Sequence, residues 1–287
     1  MQERLQKLLA RAGLGSRRQL EDWIRDGRVE VDGKRAELGQ KVSGRERIVV
    51  DGKRVQLNPD VEAGPEVLVY HKPIGEVCTR DDPERRPTVY HALPKPQQQG
   101  RWISIGRLDI NTSGLLLFTT DGELAHRLTH PSHEIEREYA VRLLGEVDMP
   151  MLERLVEGVE LDDGPARFVA IEESGGSGAN RWFHVIIKEG RNREVRRLWE
   201  SQGITVSRLS RVRYGPVVLE RSLRPGQSRL LDHQEKKRLY QAVGLGAEKQ
   251  QPAPAVKPPR SSAAPTRKAQ REAPSRGPAR KTRTKRG

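Results

Sequence analysis

The chain has 287 residues, a formal net charge of +14 and a single cysteine. This length allows one sizeable core and a smaller module. The lone cysteine excludes an intramolecular disulfide framework, no apolar stretch is long enough to span a membrane, and the polar N-terminus lacks a secretory signal. A reduced, cytoplasmic setting follows as an expectation.

The N-terminal segment predicts two helices followed by a hairpin. Residues 3–14 are amphipathic, and Ser16 is placed to cap a second helix over residues 17–25 that ends at Gly27. Residues 28–34 predict a strand that ends in an Asp-Gly turn. The first helix should bury Leu5, Leu8, Leu9 and Ala12.

A polar, proline-bounded linker over residues 59–65 separates this segment, residues 1–58, from the larger module. A strand over residues 66–70 runs into Lys72-Pro-Ile-Gly75, where proline and glycine define a turn. We expect this turn to be structural. A contact of Lys72 with phosphate is the weaker alternative.

The most informative stretch is Gly106-Arg-Leu-Asp-Ile-Asn-Thr-Ser-Gly-Leu-Leu-Leu-Phe118. It places Asp109 in a glycine-bounded polar loop directly before the apolar run 115–118, which predicts a buried strand. A carboxylate on such a loop is held by the strand and remains open to a ligand. A structural salt bridge between Arg107 and Asp109 is the alternative.

Two later elements carry further candidates. Tyr139 falls in an alternating stretch, residues 136–141, that predicts a strand. Asn192 is a candidate cap for a helix that closes at Gly203. The helical spacing predicts that one face, with Val195, Leu198 and Trp199, packs on the core and that Arg196 lies at the edge of this face. Arg193 and Arg197 should lie further from the core on the helix surface.

The remaining elements predict strands over residues 207–212 and 216–219 and a closing helix over 232–243. Because strands and helices mix without a βαβ rhythm, residues 66–246 predict an α+β domain with a mainly antiparallel mixed sheet and a cleft across it. Residues 247–287 hold twelve Lys and Arg against two Glu and lack Leu, Ile and aromatic residues. This composition predicts a disordered basic tail that adds affinity for RNA, or else a solubilising appendage.

The run from Gly106 to Gly122 resembles the catalytic motif of the pseudouridine synthases, in the branch that modifies ribosomal RNA and carries an S4 domain. The Gly-Ser-Arg-Arg junction at residues 15–18 and Val-Glu-Val-Asp-Gly-Lys34 resemble the S4 RNA-binding domain. The likeness extends from residue 1 to about residue 246.

This resemblance implies that Asp109 is the essential catalytic residue, that Arg196 pairs with it and that Tyr139 packs on the target base. The reaction detaches uracil from ribose and rejoins it through carbon, so it needs no cofactor. Whether Asp109 acts as nucleophile or base stays open. The seven histidines show no metal-ligand spacing, and we expect no metal. The candidate RNA-binding residues are Arg107, Arg193, Arg197, Arg4, Lys7, Arg11, Arg17, Arg18 and Lys34.

Residues 78–88 and 187–200 look most like members that act on 23S rRNA of the large subunit. The implied partner is that rRNA or a large-subunit assembly intermediate. We expect the protein to be a monomer that does not bind membranes. Two alternatives stay open: the same chemistry on 16S rRNA, and a non-enzymatic rRNA-binding assembly factor.

Overall fold

A computed structural model describes residues 2–55, 64–97, 100–177 and 180–245. The predicted tail, residues 247–287, and most of the predicted linker lie outside these ranges. The elements of the N-terminal module are β1 (Glu3–Arg4), α1 (Leu5–Arg11), α2 (Arg17–Arg25), β2 (Val29–Val31), β3 (Lys34–Arg35), β4 (Lys41–Val42), β5 (Ile48–Val50) and β6 (Lys53–Arg54).

The second helix of this module begins and ends as predicted. The Ser16 hydroxyl accepts a hydrogen bond from the Gln19 amide, and the Gln19 side chain accepts one from the Ser16 amide. In the hairpin that follows, Asp32 and Gly33 both have positive φ, as a tight turn between β2 and β3 requires. The module buries its own apolar cluster, with Leu5, Leu9 and Leu20 inaccessible to solvent.

The first helix is shorter than the predicted residues 3–14. Glu3 and Arg4 pair with β4 as a short strand, and Ala12 is the C-cap instead of part of the buried stripe. Leu5, Leu8 and Leu9 are buried as expected, and Gln6 joins them. Glu3 and Ala12 are only partly buried and Arg4 is exposed, so the buried stripe ends with the helix.

The larger module is built on a nine-stranded sheet. Seven strands form the path β13-β14-β10-β15-β9-β7-β17, while β8 pairs with β9 and β16 with β15. The elements are β7 (Val67–Lys72), β8 (Ile103–Ile105), β9 (Ser113–Thr119), α3 (Gly122–Thr129), β10 (Arg137–Leu144), α4 (Met149–Glu157), β11 (Val159–Leu161), β12 (Gly164–Ala166), β13 (Ala170–Ser177), β14 (Asn180–Ile187), α5 (Glu194–Glu200), β15 (Thr205–Tyr214), β16 (Val217–Val218), β17 (Ser228–Leu230) and α6 (His233–Gln241).

The central strands β7 and β9 are buried on both faces, which explains their continuous apolar sequence. One apolar cluster holds Leu116 and Phe118 of β9 together with residues of α4 and α5. The other holds Leu115 and Leu117 together with residues of α3 and α6. The sheet is therefore covered by helices on opposite faces, and β9 is a rigid support for the loop that precedes it.

The α+β prediction with a mainly antiparallel sheet is confirmed. Every pairing in the nine-stranded sheet is antiparallel except β9 with β15, which is parallel. The predicted cap of α5 was wrong, because the N-cap is Arg193 with φ 49° and not Asn192. The side chain of Arg193 makes no capping hydrogen bond, and the Glu194 carboxylate accepts one from the Arg191 amide in the preceding turn. Within the described ranges no helix is both long and apolar enough to span a membrane.

Candidate active site

Asp109 lies in the loop of residues 106–112 between β8 and β9. The Thr112 amide donates a hydrogen bond to the Asp109 carbonyl (3.0 Å), which closes a turn directly before β9 begins. The Asp109 side chain is half-buried and makes no hydrogen bond or ion pair with any residue that the structure describes. The predicted alternative, a salt bridge to Arg107, is therefore wrong, and Arg107 is exposed.

Lys72, at the end of β7, holds this loop from beneath. Its side chain is inaccessible to solvent, and its ammonium donates to the carbonyls of Pro73 (2.9 Å), Asp109 (3.1 Å) and Thr112 (2.9 Å). Burial lowers the pKa of Lys72, and three charge-assisted hydrogen bonds offset the cost of the buried charge. The structural role predicted for this turn is confirmed. A contact with RNA phosphate is ruled out because the ammonium points into the protein.

Cys78 fixes the residue before Asp109. Its sulfur accepts a hydrogen bond from the Leu108 amide (3.4 Å) and donates one to the Leu108 carbonyl (3.3 Å). Burial raises the pKa of the Cys78 thiol, so the group remains neutral at physiological pH. Lys72 and Cys78 together restrain the main chain on both sides of the Asp109 carboxylate without touching the carboxylate itself.

Arg196 of α5 is 8% exposed and reaches the same loop. Its two Nη atoms donate to the carbonyls of Val206 (2.9 Å) and Asn111 (3.0 Å), and its Nε is buried without a hydrogen-bond partner. The predicted direct ion pair with Asp109 is not formed, and the Nη atoms donate to these two backbone carbonyls instead. Burial lowers the pKa of Arg196, the charge of Arg193 adds to this, and the nearby Asp109 carboxylate opposes it. Arg196 therefore contacts the Asp109 loop at the Asn111 carbonyl, and its charge lies close to the Asp109 carboxylate.

Tyr139 of β10 is 8% exposed and shares an apolar cluster with Leu108. It lies opposite Arg211 of β15, which in turn lies opposite Gly114 of β9. Two strand spacings separate Tyr139 from Gly114, roughly 10 Å. The sheet therefore places the tyrosine on the same side of the molecule as the start of β9, where the Asp109 loop ends.

Sequence reasoning missed the part played by Arg211 and Gly114. Arg211 is 2% exposed, and its Nε donates to the Leu115 carbonyl (2.8 Å), which fastens β15 to β9. Gly114 has φ +106°, and a Cβ built there would lie 2.3 Å from the Arg211 carbonyl oxygen. The glycine of the motif thus permits the close parallel pairing. Three arginines occur in β15, and nothing in its sequence distinguishes Arg211 from the other two.

The remaining predicted RNA-binding residues lie on the surface. Arg193 is exposed and 3.4 Å from Glu200, whereas Arg197 is ion-paired with Asp163 (2.8 Å). In the N-terminal module Arg11 pairs with Glu3 (2.7 Å). The exposed members of the set there are Arg4, Lys7, Arg11, Arg17, Arg18 and Lys34. Among the residues placed by the structure, no group of three or more His, Cys, Asp or Glu side chains could hold a metal ion.

Comparison with known proteins agrees with this arrangement. Residues 66–201 match the family model of RNA pseudouridylate synthases, and residues 3–48 match that of the S4 domain. A solved structure described as a pseudouridylate synthase superposes with a TM-score of 0.57 at 30% identity, covering 82% of this chain and 99% of that one.

Two relatives are both called ribosomal large subunit pseudouridine synthase B. That of Pseudomonas aeruginosa PAO1 is 57% identical over 85% of this chain, which spans 63% of the relative's length. That of Escherichia coli K12 is 54% identical, and 86% of each chain is covered. The chain belongs to the family of pseudouridine synthases that carry an S4 domain.

Proposed function

We propose that this protein converts a specific uridine of 23S ribosomal RNA to pseudouridine, with Asp109 as its catalytic carboxylate. The observation that carries the proposal is the contrast at Asp109 between a fixed backbone and a free side chain. Lys72 holds the main chain, while the carboxylate has no partner among the described residues. Such a group is free to act on a bound substrate at no cost of rearrangement.

The reaction is an isomerisation within one nucleotide. The bond between N1 of uracil and C1′ of ribose breaks, the base turns, and a bond from C5 to C1′ forms. The C5 proton is lost and N1 gains one, so atoms and electrons balance without an oxidant. A carboxylate beside the sugar can take part as nucleophile or as base, and the positive charge of Arg196 lies close to it.

The target base must leave its stack to reach Asp109. Tyr139 supports this step in the proposal, since an aromatic ring offers a face to any flipped base. Tyr139 is largely covered by its neighbours, so we expect it to contact the base with one edge or face only.

The choice of 23S rRNA rests on the two relatives named for the large subunit and on the S4 domain. We further expect a cytoplasmic monomer that needs no cofactor. The S4 domain would hold structured RNA while the larger module performs the chemistry.

Purified protein incubated with transcribed 23S or 16S rRNA tests the proposal, with pseudouridine mapped by carbodiimide modification and primer extension. One modified uridine in 23S rRNA, lost in Asp109→Asn, supports it. Modification of 16S rRNA alone would show that the substrate is the rRNA of the small subunit. Tight binding of rRNA with no pseudouridine in either transcript would instead make the protein a binding factor.

A further inference from the structure

Three arginines converge where the N-terminal module meets the larger one. Arg17 begins α2, Arg80 lies in the loop after β7, and Arg101 precedes β8. The two modules touch at this place: a Cβ built on Gly13 would lie 3.1 Å from the Gly100 carbonyl oxygen. One built on Gly122 would lie 3.7 Å from Nη2 of Arg17.

These three guanidinium groups have no acidic partner among the residues placed by the structure. Arg80 donates to the Trp102 carbonyl and stacks on Tyr90, with its Cζ 4.2 Å from the ring centroid. Arg101 makes no hydrogen bond or ion pair with any residue that the structure describes, and its Nε is buried. Elsewhere the half-buried arginines Arg86, Arg181, Arg197, Arg213 and Arg229 are paired with carboxylates. The buried arginines Arg137, Arg196 and Arg211 instead donate to backbone carbonyls.

The grouping is unfavourable for the free protein. Burial lowers the pKa of Arg101, and the positive charges of Arg80 and Arg17 lower it further, while Tyr90 opposes them. A partly buried, unpaired cation among like charges destabilises the fold. An anion bound between the three side chains would remove this cost, because guanidinium groups donate paired hydrogen bonds to phosphate oxygens.

We propose that Arg17, Arg80 and Arg101 together bind one backbone phosphate of the RNA substrate. This inference rests on the proposed function, since it takes the ligand to be the RNA that the enzyme modifies. A single phosphate held by residues of both modules would fix the register of the RNA between the S4 domain and the Asp109 loop. The site reads no base, because phosphate contacts position RNA without carrying sequence information.

Arg101→Gln, Arg80→Gln and the triple Gln variant test the site in the full-length protein. The matched control is Arg221→Gln, an equally charged, exposed arginine that makes no hydrogen bond or ion pair with any described residue. The probe is a synthetic RNA stem-loop from the 23S rRNA region that the wild-type protein modifies.

Arg101→Gln should weaken binding about tenfold, as loss of a charge-assisted hydrogen bond does. The salt dependence of log Kd should flatten by about 1. Because the arginine is unpaired in the free protein, its melting temperature should stay at the wild-type value or rise. Equal affinity for Arg101→Gln and Arg221→Gln would overturn the site.

A scan with single uncharged methylphosphonate linkages identifies the phosphate directly. One linkage should cost the wild type about tenfold in affinity and the triple variant nothing, since both changes remove the same contact. Absence of any such linkage overturns the proposal. Assaying the same RNA for pseudouridine separates the proposed function from the proposed phosphate site. A wild-type protein that binds the RNA but forms no pseudouridine contradicts the proposed function, whereas the methylphosphonate scan tests the phosphate site independently.

Discussion

The ammonium of Lys72 donates a 3.1 Å hydrogen bond to the backbone carbonyl of Asp109, so a fully buried cation fixes the main chain beneath the candidate catalytic side chain. The same ammonium also holds Thr112, three residues further on. The backbone is thus held on both sides of a carboxylate that has no partner among the described residues. Rigid support of this kind is what positions a reacting group for catalysis.

Replacing Lys72 should therefore damage both stability and activity. Lys72→Met removes the ammonium donor from the carbonyls of Pro73, Asp109 and Thr112, of which Asp109 keeps the Thr112 amide, and this should lower the free energy of unfolding by roughly 3 kcal/mol. Displacement of the loop by about 1 Å should reduce the rate of pseudouridine formation on the order of 100-fold. Urea unfolding and single-turnover assays measure the two effects. Lys95→Met, at an exposed lysine, is the control, and equal stability of both variants would contradict the prediction.

Asp109→Asn should abolish product formation while keeping RNA affinity within a few fold of wild type, because the change removes only the charge. Binding titrations and pseudouridine mapping on one RNA measure both. Asp81→Asn, an exposed aspartate, controls for a change of net charge. Residual turnover above about one per cent of wild type would show that Asp109 is not the essential carboxylate.

Arg196→Ala should reduce activity far more than Arg193→Ala. The first change removes a buried guanidinium near Asp109 and its hydrogen bonds to the carbonyls of Asn111 and Val206, which should lower the free energy of unfolding by roughly 1.5–3 kcal/mol and release the Asp109 loop. The second removes an exposed side chain. Single-turnover rates of pseudouridine formation by both variants measure this, and equal losses would remove Arg196 from the site.

The features set by neighbouring residues could be predicted from sequence. Ser16 and the helix after it were predicted correctly, because a capping box depends on residues only three apart. The predicted cap of α5 was wrong because the helix begins one residue later, after Arg193 in the left-handed conformation, and no side chain caps it. The usual preference for an extended, side-chain-capped N-cap residue does not predict this geometry.

Contacts between distant segments could not be predicted in detail. Support of the Asp109 loop by the Lys72 turn was expected, but the choice of Asp109 and Thr112 as acceptors depends on how β7 and β9 pair. Arg211 was missed for the same reason. Its partner at Leu115 is 96 positions away in the chain and is brought close only by the parallel pairing of β9 and β15.

Alkylation of Cys78 should be slow at neutral pH. Its rate should rise only at a higher pH than the rate for an exposed thiol does. Burial raises the pKa of this thiol, and only the thiolate reacts with iodoacetamide. Since the chain has one cysteine, mass spectrometry reports this site alone. The urea-unfolded chain is the control, and the midpoint of its rate–pH curve should lie at a lower pH than that of the folded protein. A folded-state midpoint at or below that of the unfolded chain would contradict the assigned burial.

The basic tail and the S4 domain should contribute to RNA binding in different ways. Residues 247–287 carry a net charge of +10 out of the chain's +14, and diffuse pairing with phosphate does not depend on sequence. Ending the chain at residue 246 should therefore weaken binding of all RNAs alike and make its salt dependence shallower. A full-length variant with Gln at the twelve basic positions of the tail should behave in the same way.

Deleting residues 1–58 removes the folded S4 module. Binding of the target stem-loop should therefore weaken more than binding of a scrambled RNA. Titrations of each variant at several salt concentrations decide the matter: if loss of the tail abolishes discrimination and loss of the S4 domain preserves it, the two roles are the reverse of those assigned.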